Sequence, residues 1–314
     1  MNKNKKAGLI VLLIVIIGAL FCAFVNISSL SHNKKGNIKP KGSRHGEYIA
    51  ALYIEGTIQE ENNTYNQKWL LDTIASLKQD QNNKAIAIFM NSPGGSVYEA
   101  DEAYLALQDY RTSGKPVYVY QGQMAASGGY YISCAGEKIY ANRNTLTGSI
   151  GVIFGKSIDI TGLLNNLGIK SETIHSGTNK NMFSFDEPVT AEQRKIMQSI
   201  ADECYEQFVG IVANSRKMPV SKVKELADGR IYTANQALKN GLIDGISSWD
   251  DMLTTLKDDK FDGKNIKVVE YSYERNKNFR EMLFGKSNQK EPVSSILDEI
   301  SSESKIRYPA YLYK

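Results

Sequence analysis

The chain has 314 residues, of which 42% are hydrophobic and 23% are charged, as in ordinary globular proteins of one large or two small domains. Its formal net charge of +4 is small and spread along the chain, which argues against a nucleic-acid-binding protein. The three cysteines have neither a disulfide-framework nor a metal-site spacing, and Cys134 and Cys204 are expected to be small core residues.

The first predicted element is an uncharged apolar run, residues 8–25, preceded by three lysines. At a helical rise of ~1.5 Å, such a run nearly crosses a ~30 Å hydrocarbon core. A cleaved signal peptide, the alternative, would have a shorter apolar core and a small-residue cleavage site, which is not found after Phe24. We therefore predict an uncleaved transmembrane anchor over residues 1–27. Basic residues flank both ends, so charge does not decide its orientation.

Residues 28–46 are polar, rich in glycine and lysine and not periodic, as in a flexible tether. From Glu47 onward, strand patterns alternate with helix patterns, which is typical of parallel strands joined by crossover helices. We predict an α/β domain over residues 47–275. Its expected strands are 48–56, 84–90, 116–121, one within 146–154, 172–174 and 265–271, and its expected helices are 69–78, 97–110 and a short one after residue 127.

Beyond Thr190 the sequence pattern is mostly helical. Thr233 and Gln236 match a capping box, and Gly241 matches the left-handed residue that ends a helix. Residues 276–314 are expected to be a C-terminal tail.

Two turns of similar design follow successive predicted strands. NSPGGS (91–96) combines a proline with two glycines, and MAASGG (124–129) surrounds Ser127 with small residues. The first turn is a poor phosphate loop, because it lacks both GK[ST] and GxGxxG. If the two strands are neighbours, both turns open at the carboxyl edge of the sheet, where open α/β sheets bind ligands.

Ser127 is the candidate nucleophile. Ala125, Ala126, Gly128 and Gly129 leave room for a backbone or a substrate to approach its hydroxyl. The two turns would then supply a nucleophile and an oxyanion donor. A tight helix–sheet contact that needs small residues explains the second turn equally well when that turn is considered by itself.

The motifs NSPGGS, MAASGGYYIS and LTGSIGV, followed by ADGRIYTANQALKNGLID (227–244), resemble the signal peptide peptidase A family of membrane-bound serine peptidases in the Clp/crotonase superfamily. The resemblance covers about residues 48–270 and the anchor. It implies a Clp/crotonase-like spiral of ββα units, in the short form with one such domain per chain. It also implies a catalytic domain on the extracytoplasmic side of the cell membrane, with no metal or nucleotide cofactor.

A serine hydroxyl needs a base, and the residues by themselves leave its identity open. His32 and His45 lie in the tether, and His175 has no obvious carboxylate partner. The family uses a Ser–Lys dyad, and HSGTNKNMFS (175–184) is similar to the segment that carries its lysine. The resemblance therefore implies Lys180 as the base, with a Ser–His pair through His175 as the alternative.

The resemblance assigns three further roles. Ser149 would hydrogen-bond the lysine and orient it. Gly128 and one of Gly94 and Gly95, preferably Gly95, would donate the N–H groups of the oxyanion hole.

We accordingly predict a membrane-anchored serine endopeptidase that degrades cleaved signal peptides and other apolar peptides. The alternatives are a crotonase-like acyl-CoA enzyme and a catalytically silent peptide-binding membrane scaffold. Two-domain members of the family build the dyad between domains, so a short form is expected to be a homo-oligomer with active sites shared between chains. The apolar end of the tail, residues 306–313, resembles a substrate; it is expected either to visit the active site and be trimmed, or to dock on the surface.

Overall fold

The computed structural model describes residue 42, residues 45–155 and 157–275, and the backbone of residues 310–312. The predicted anchor over residues 1–27, nearly all of the tether and most of the tail lie outside these residues. Within the described part of the chain, no helix is long and apolar enough to cross a membrane.

The described residues form ten strands: β1 (Tyr48–Glu55), β2 (Asn83–Ser92), β3 (Gly94–Ser96), β4 (Val117–Ala126), β5 (Lys138–Ala141), β6 (Leu146–Gly148), β7 (Ile231–Thr233), β8 (Gly245–Ile246), β9 (Lys267–Tyr271) and β10 (Ala310–Leu312). The helices are α1 (Gln67–Gln79), α2 (Val97–Arg111), α3 (Gly128–Ser133), α4 (Thr161–Asn166), α5 (Ala191–Arg216), α6 (Val220–Leu226), α7 (Ala234–Lys239) and α8 (Trp249–Phe261).

Eight of these strands form one mixed sheet in the order β7-β6-β4-β2-β1-β9, with β5 beside the first half of β4 and β8 beyond β5. Its pairs are parallel except for β6 with β7. The separate strands β3 and β10 pair with each other. The predicted α/β fold is confirmed, and the spiral of ββα units stays a prediction.

The central strands β1, β2 and β4 are apolar on both faces because helices cover both faces of the sheet. Helices α1, α2, α3 and α5 pack on one face, where Leu52, Ile88 and Val119 are fully buried. Helix α8 covers part of the other face through Met252 and Leu256. This packing fixes the carboxyl ends of β2 and β4 relative to each other.

Several local predictions are confirmed. Leu70, Ile74 and Leu77 form the buried side of α1. The capping box of α7 forms in both directions: Thr233 Oγ accepts from the Gln236 N–H at 3.3 Å, and Gln236 Oε1 accepts from the Thr233 N–H at 3.0 Å.

The predicted strand over residues 172–174 is wrong. These described residues pair with no other strand, and Ile174 is 94% exposed. A single apolar residue in a polar run gives a strand nothing to pack against.

Gly241 has φ +73° after α7, as predicted for a helix end. Cys134 is buried as expected, whereas Cys204 is only half-buried.

Candidate active site

The two glycine-containing turns lie side by side at the carboxyl edge of the sheet, as predicted. Strands β2 and β4 are parallel neighbours, with Ser92 opposite Ala125. A Cβ atom at Gly129 would lie 2.9 Å from the carbonyl oxygen of Ser92, so glycine permits the close approach of the two turns. The buried Ser92 hydroxyl accepts from the Gly94 N–H at 3.0 Å and so fixes the first turn.

Ser127 connects β4 to α3 with φ +54° and ψ −117°. This backbone conformation is rare and strained for a residue with a side chain. The residue is 1% exposed, and its carbonyl accepts from the Tyr131 N–H at 2.9 Å. Gly128 is the first residue of α3, so its N–H has no acceptor within the helix. The turn thus presents a serine and a free backbone donor together.

Two tyrosines after the turn anchor α3. The Tyr130 hydroxyl donates to the Leu242 carbonyl at 2.7 Å, and the Tyr131 hydroxyl donates to the Asp101 carboxylate at 2.6 Å. Gln207 Nε2 donates to the Tyr131 oxygen at 2.7 Å. Burial raises the pKa of Tyr130 well above its usual range, so its hydroxyl stays a donor. These bonds tie the helix after Ser127 to α2, α5 and the loop after α7.

Ser149 lies at the adjoining strand end. β6 pairs with β4 so that Gly148 is opposite Ala126, and the Ser127 N–H donates to the Gly148 carbonyl at 2.7 Å. Ser149 has φ +50°, is 6% exposed, and its N–H donates to the Arg230 carbonyl at 2.9 Å. The fold therefore brings Ser127 and Ser149 together within one chain.

Strand β3 carries the other candidate oxyanion residues. The Ile58 N–H donates to the Gly94 carbonyl, and the Ile58 carbonyl accepts from the Ser96 N–H, both at 2.9 Å. Because neighbouring residues of a strand direct their backbone groups to opposite sides, the N–H and C=O of Gly95 face the other edge of β3. A Cβ atom at Gly95 would lie 1.8 Å from the Ile58 oxygen, so only glycine fits there.

That other edge of β3 is occupied by the end of the chain. β10 pairs antiparallel with β3, with Tyr311 opposite Gly95. β10 also runs beside α2 and α3, the helix that follows Ser127. Part of the tail thus lies beside the candidate site, as one of the two sequence expectations had it. Its trimming stays a prediction.

The structure does not join Lys180 to this group. Its side chain is exposed, and within the described residues no hydrogen bond or ion pair links its ammonium to Ser127, Ser149 or any carboxylate. His175 is also exposed, with Nδ1 3.1 Å from the Gly177 carbonyl oxygen. Within one described chain, the serine has neither proposed base beside it.

The segment that carries Lys180 exposes many large apolar side chains, a feature typical of interaction surfaces. We call the following residues the exposed apolar segment: Ile153, Ile158, Leu163, Leu167, Ile169, Ile174, Phe183 and Phe185.

Sequence reasoning missed the roles of Ser92 and Ile58. Ser92 is part of the NSPGGS motif, so the motif could have pointed to its hydroxyl. Ile58 gave none, because nothing in the sequence indicates which residue will bridge to β3. No group of three histidine, cysteine or acidic side chains among the described residues is arranged to hold a metal ion.

Comparison with known proteins finds a matching family and several similar proteins. Residues 109–261 match peptidase family S49. A protein from Enterococcus faecium provisionally named signal peptide peptidase SppA is 39% identical over 68% of this chain and 63% of its own length. A protein from Synechocystis sp. provisionally named protease slr0021 is 39% identical over 65% of this chain and 71% of its own. A ClpP1 mutant from Listeria monocytogenes has a TM-score of 0.45 and 19% identity over 65% of this chain and 94% of its own.

The match to the Enterococcus protein spans slightly less than two thirds of that protein. The match to the Synechocystis protein spans more than two thirds of it at 39% identity. The chain therefore belongs to peptidase family S49, a family of serine peptidases.

Proposed function

We propose that the chain is a membrane-anchored serine endopeptidase in which Ser127 is the nucleophile and Lys180 the base. The observation that carries this proposal is the backbone of Ser127, strained at φ +54° between a parallel strand and a helix. Strained residues of this kind concentrate at active sites. A sharp strand-to-helix turn also presents the nucleophile of hydrolases with a G-x-S-x-G motif.

In the proposed reaction, the Ser127 Oγ attacks the carbonyl carbon of the scissile peptide bond while the neutral Lys180 amine accepts the hydroxyl proton. The N–H groups of Gly128 and Gly95 donate to the oxyanion that forms, with Gly94 as the alternative to Gly95. When the C–N bond breaks, Lys180 returns the proton to the leaving amine. Water then attacks the acyl-enzyme ester with the same base, which releases the acid and restores Ser127. Ser149 orients the amine.

The edge of β3 that pairs with β10 is the proposed binding site for the substrate backbone. Gly95 faces that edge, and β10 pairs with it as an extended antiparallel segment. Adding a strand to a sheet edge is a common way to bind a peptide, since backbone bonds provide affinity without requiring a fixed sequence. This supports a polypeptide substrate over an acyl-CoA thioester.

Completion of the site by a second chain is part of the proposal. Ser127 is buried, whereas Lys180 is exposed on a segment rich in exposed apolar side chains. A contact between copies through the exposed apolar segment would cover those side chains and carry Lys180 to the neighbouring serine. We therefore propose a homo-oligomer whose active sites are shared between chains.

The relatives and the sequence both support one class of substrate. The Enterococcus relative is named for signal peptide cleavage. The run over residues 8–25 is long enough to anchor the chain in the membrane where signal peptides remain after secretion. We propose cleaved signal peptides and similar apolar peptides as substrates, with the catalytic domain outside the cytoplasm.

The test is active-site labelling of the full chain in lipid or detergent with a fluorophosphonate, followed by peptide mapping. We expect the probe on Ser127 in the parent protein and no labelling in Ser127→Ala. Labelling at another serine would contradict the assignment. Stable coenzyme A binding without labelling would instead favour an acyl-CoA enzyme.

A further inference from the structure

The start of α2, outside the proposed catalytic group, carries a capping-box motif that does not make the usual capping hydrogen bonds. Residues 96–99 (SVYE) match the capping-box pattern at the start of α2. In a capping box, the glutamate would accept from the Ser96 N–H, but that N–H donates to the Ile58 carbonyl at 2.9 Å. The Ser96 hydroxyl makes no cap bond to the helix backbone and donates to the Glu99 carboxylate instead. Ser96 and Glu99 therefore stabilise β3 as well as the start of α2.

The buried side chains of Tyr65 and Gln67 extend this hydrogen-bond network from Glu99 away from β3. Gln67 Nε2 donates to the backbone carbonyl of Glu99 at 3.1 Å, and the Tyr65 hydroxyl donates to Gln67 Oε1. Tyr65 is 3% exposed and Gln67 is 8% exposed. Buried polar groups are costly unless they are bonded, so these two side chains hold each other and the first turn of α2 in one arrangement.

The loop over residues 56–66 carries both Ile58 and Tyr65, and one side chain closes it. Asn62 Oδ1 accepts from the N–H groups of Thr64 at 2.9 Å and Tyr65 at 2.8 Å, while its Nδ2 donates to the Thr57 carbonyl at 2.6 Å. The loop therefore holds β3 in two ways. It bonds the strand directly through Ile58, and it holds the end of the strand through Tyr65, Gln67, Glu99 and Ser96.

We propose that Tyr65 and Gln67 are positioning residues for the Gly95 N–H, a role that rests on the proposed function of Gly95 as an oxyanion donor. They touch neither Ser127 nor β10 through any described hydrogen bond. Their effect reaches Gly95 through Glu99 and Ser96, which is the next residue of β3. Loss of the Tyr65–Gln67 or the Gln67–Glu99 hydrogen bond would make the first turn of α2 more mobile. The Gly95 N–H would then move away from the position that the oxyanion requires.

The test uses two nearly isosteric variants of the full chain, Tyr65→Phe and Gln67→Met. Tyr110→Phe is the matched control, since the buried Tyr110 hydroxyl donates to Asn83 Oδ1 at 2.6 Å from the far end of the same helix α2. Two readouts are taken: the rate of Ser127 labelling by a fluorophosphonate, and the hydrogen exchange of peptides that contain residues 94–97.

We expect labelling to slow about tenfold in both test variants, less than the ~10²–10³-fold cost of removing an oxyanion donor outright. We expect faster exchange at residues 94–97 in the test variants only, with similar losses of thermal stability in all three proteins. Equal labelling rates in the test variants and the control would overturn the proposal. Hydrogen exchange needs no catalysis, so unchanged exchange at residues 94–97 overturns it even if Ser127 proves not to be the nucleophile.

Discussion

At the scale of single residues, the site is built before any substrate arrives. The backbone of Ser127 is fixed by hydrogen bonds to Gly148 and Tyr131, and Ser149 stands on the next strand end. The backbone of Ser127 therefore needs no rearrangement in the proposed reaction, which would keep the entropic cost of reaching the transition state low. Among the described residues of one chain, neither Lys180 nor His175 lies beside this serine as a proton acceptor.

The base is tested by replacing Lys180 with arginine. A guanidinium stays protonated at any accessible pH and has no lone pair to accept a proton, so Lys180→Arg should keep the charge and lose activity by on the order of 10²–10⁴-fold. His175→Ala is the control and should keep the parental activity. Near-parental activity in Lys180→Arg would contradict the Ser–Lys pair.

Cys134 provides a test of the packing around α3. Burial raises the pKa of its thiol to about 12, so the reactive thiolate is almost absent at pH 8 in the folded protein. We expect native Cys134 to resist iodoacetamide at pH 8 and to react readily after unfolding in denaturant, as measured by peptide mapping. The half-buried Cys204 is the internal reference. Equal native and unfolded rates at Cys134 would show that this helix is not packed as described.

At the scale of elements, β3 is a three-residue strand with a partner on each edge. Ile58 takes the inner edge and β10 takes the outer one. The loop over residues 56–66 fixes the inner edge of β3, whereas the outer edge pairs with the short strand β10. A peptide is therefore expected to replace β10 at the outer edge rather than Ile58 at the inner one. A bound peptide and β10 would occupy the same position.

Competition between β10 and a peptide is tested with proline. Tyr311 lies opposite Gly95, whose backbone groups face β10, so Tyr311→Pro removes the N–H that can donate to Gly95. We expect kcat/KM for an added apolar peptide to rise several-fold as the tail is released. Leu312→Pro is the matched control, because the N–H of the next residue faces away from β3. A tail that merely rests on the surface would give no difference between the two variants.

The long parallel strands were predictable because each is a continuous apolar run between helices. The strand predicted within residues 146–154 forms as β6, whereas β5, β7 and β8 were not predictable, since elements of two to four residues are defined by their neighbours rather than by their own sequence. Ser127 and Gly128 stood out through the small residues around them. The link from Tyr65 to Ser96 was invisible, because it depends on side chains that meet only after the loop closes.

At the scale of the whole molecule, the described residues of a single chain include apolar surfaces that no other described element covers. The exposed apolar segment has no covering element among the described residues, and the first half of α5 is largely exposed while its second half packs through Phe208 and Val212. Lys180 lies in the same region. A contact between copies would use these surfaces and complete the site at once.

Mixing experiments test the shared site. Ser127→Ala chains keep the lysine and Lys180→Ala chains keep the serine, so a 1:1 mixed assembly should form complete sites at about a quarter of its positions. We expect peptide cleavage to appear after mixing, although each variant is inactive by itself. Mixing Lys180→Ala with the double variant is the control and should stay inactive. Absence of recovery in assemblies shown to contain both chains would place the base within one chain.

The strained backbone at Ser127 also bears on the stability of the whole fold. Glycine adopts a positive φ without strain, whereas alanine keeps the strain that serine has. The free energy of unfolding of Ser127→Gly should therefore exceed that of Ser127→Ala by about 1 kcal/mol, after allowing for the greater flexibility of glycine in the unfolded chain. Thermal unfolding of the two variants should differ by about 2–4 °C, and a lower midpoint for the glycine variant would contradict strain at this position. By this reasoning the fold would be more stable with glycine in place of its serine, so a serine at this position lowers the stability of the protein, as expected of a residue kept for the proposed chemistry.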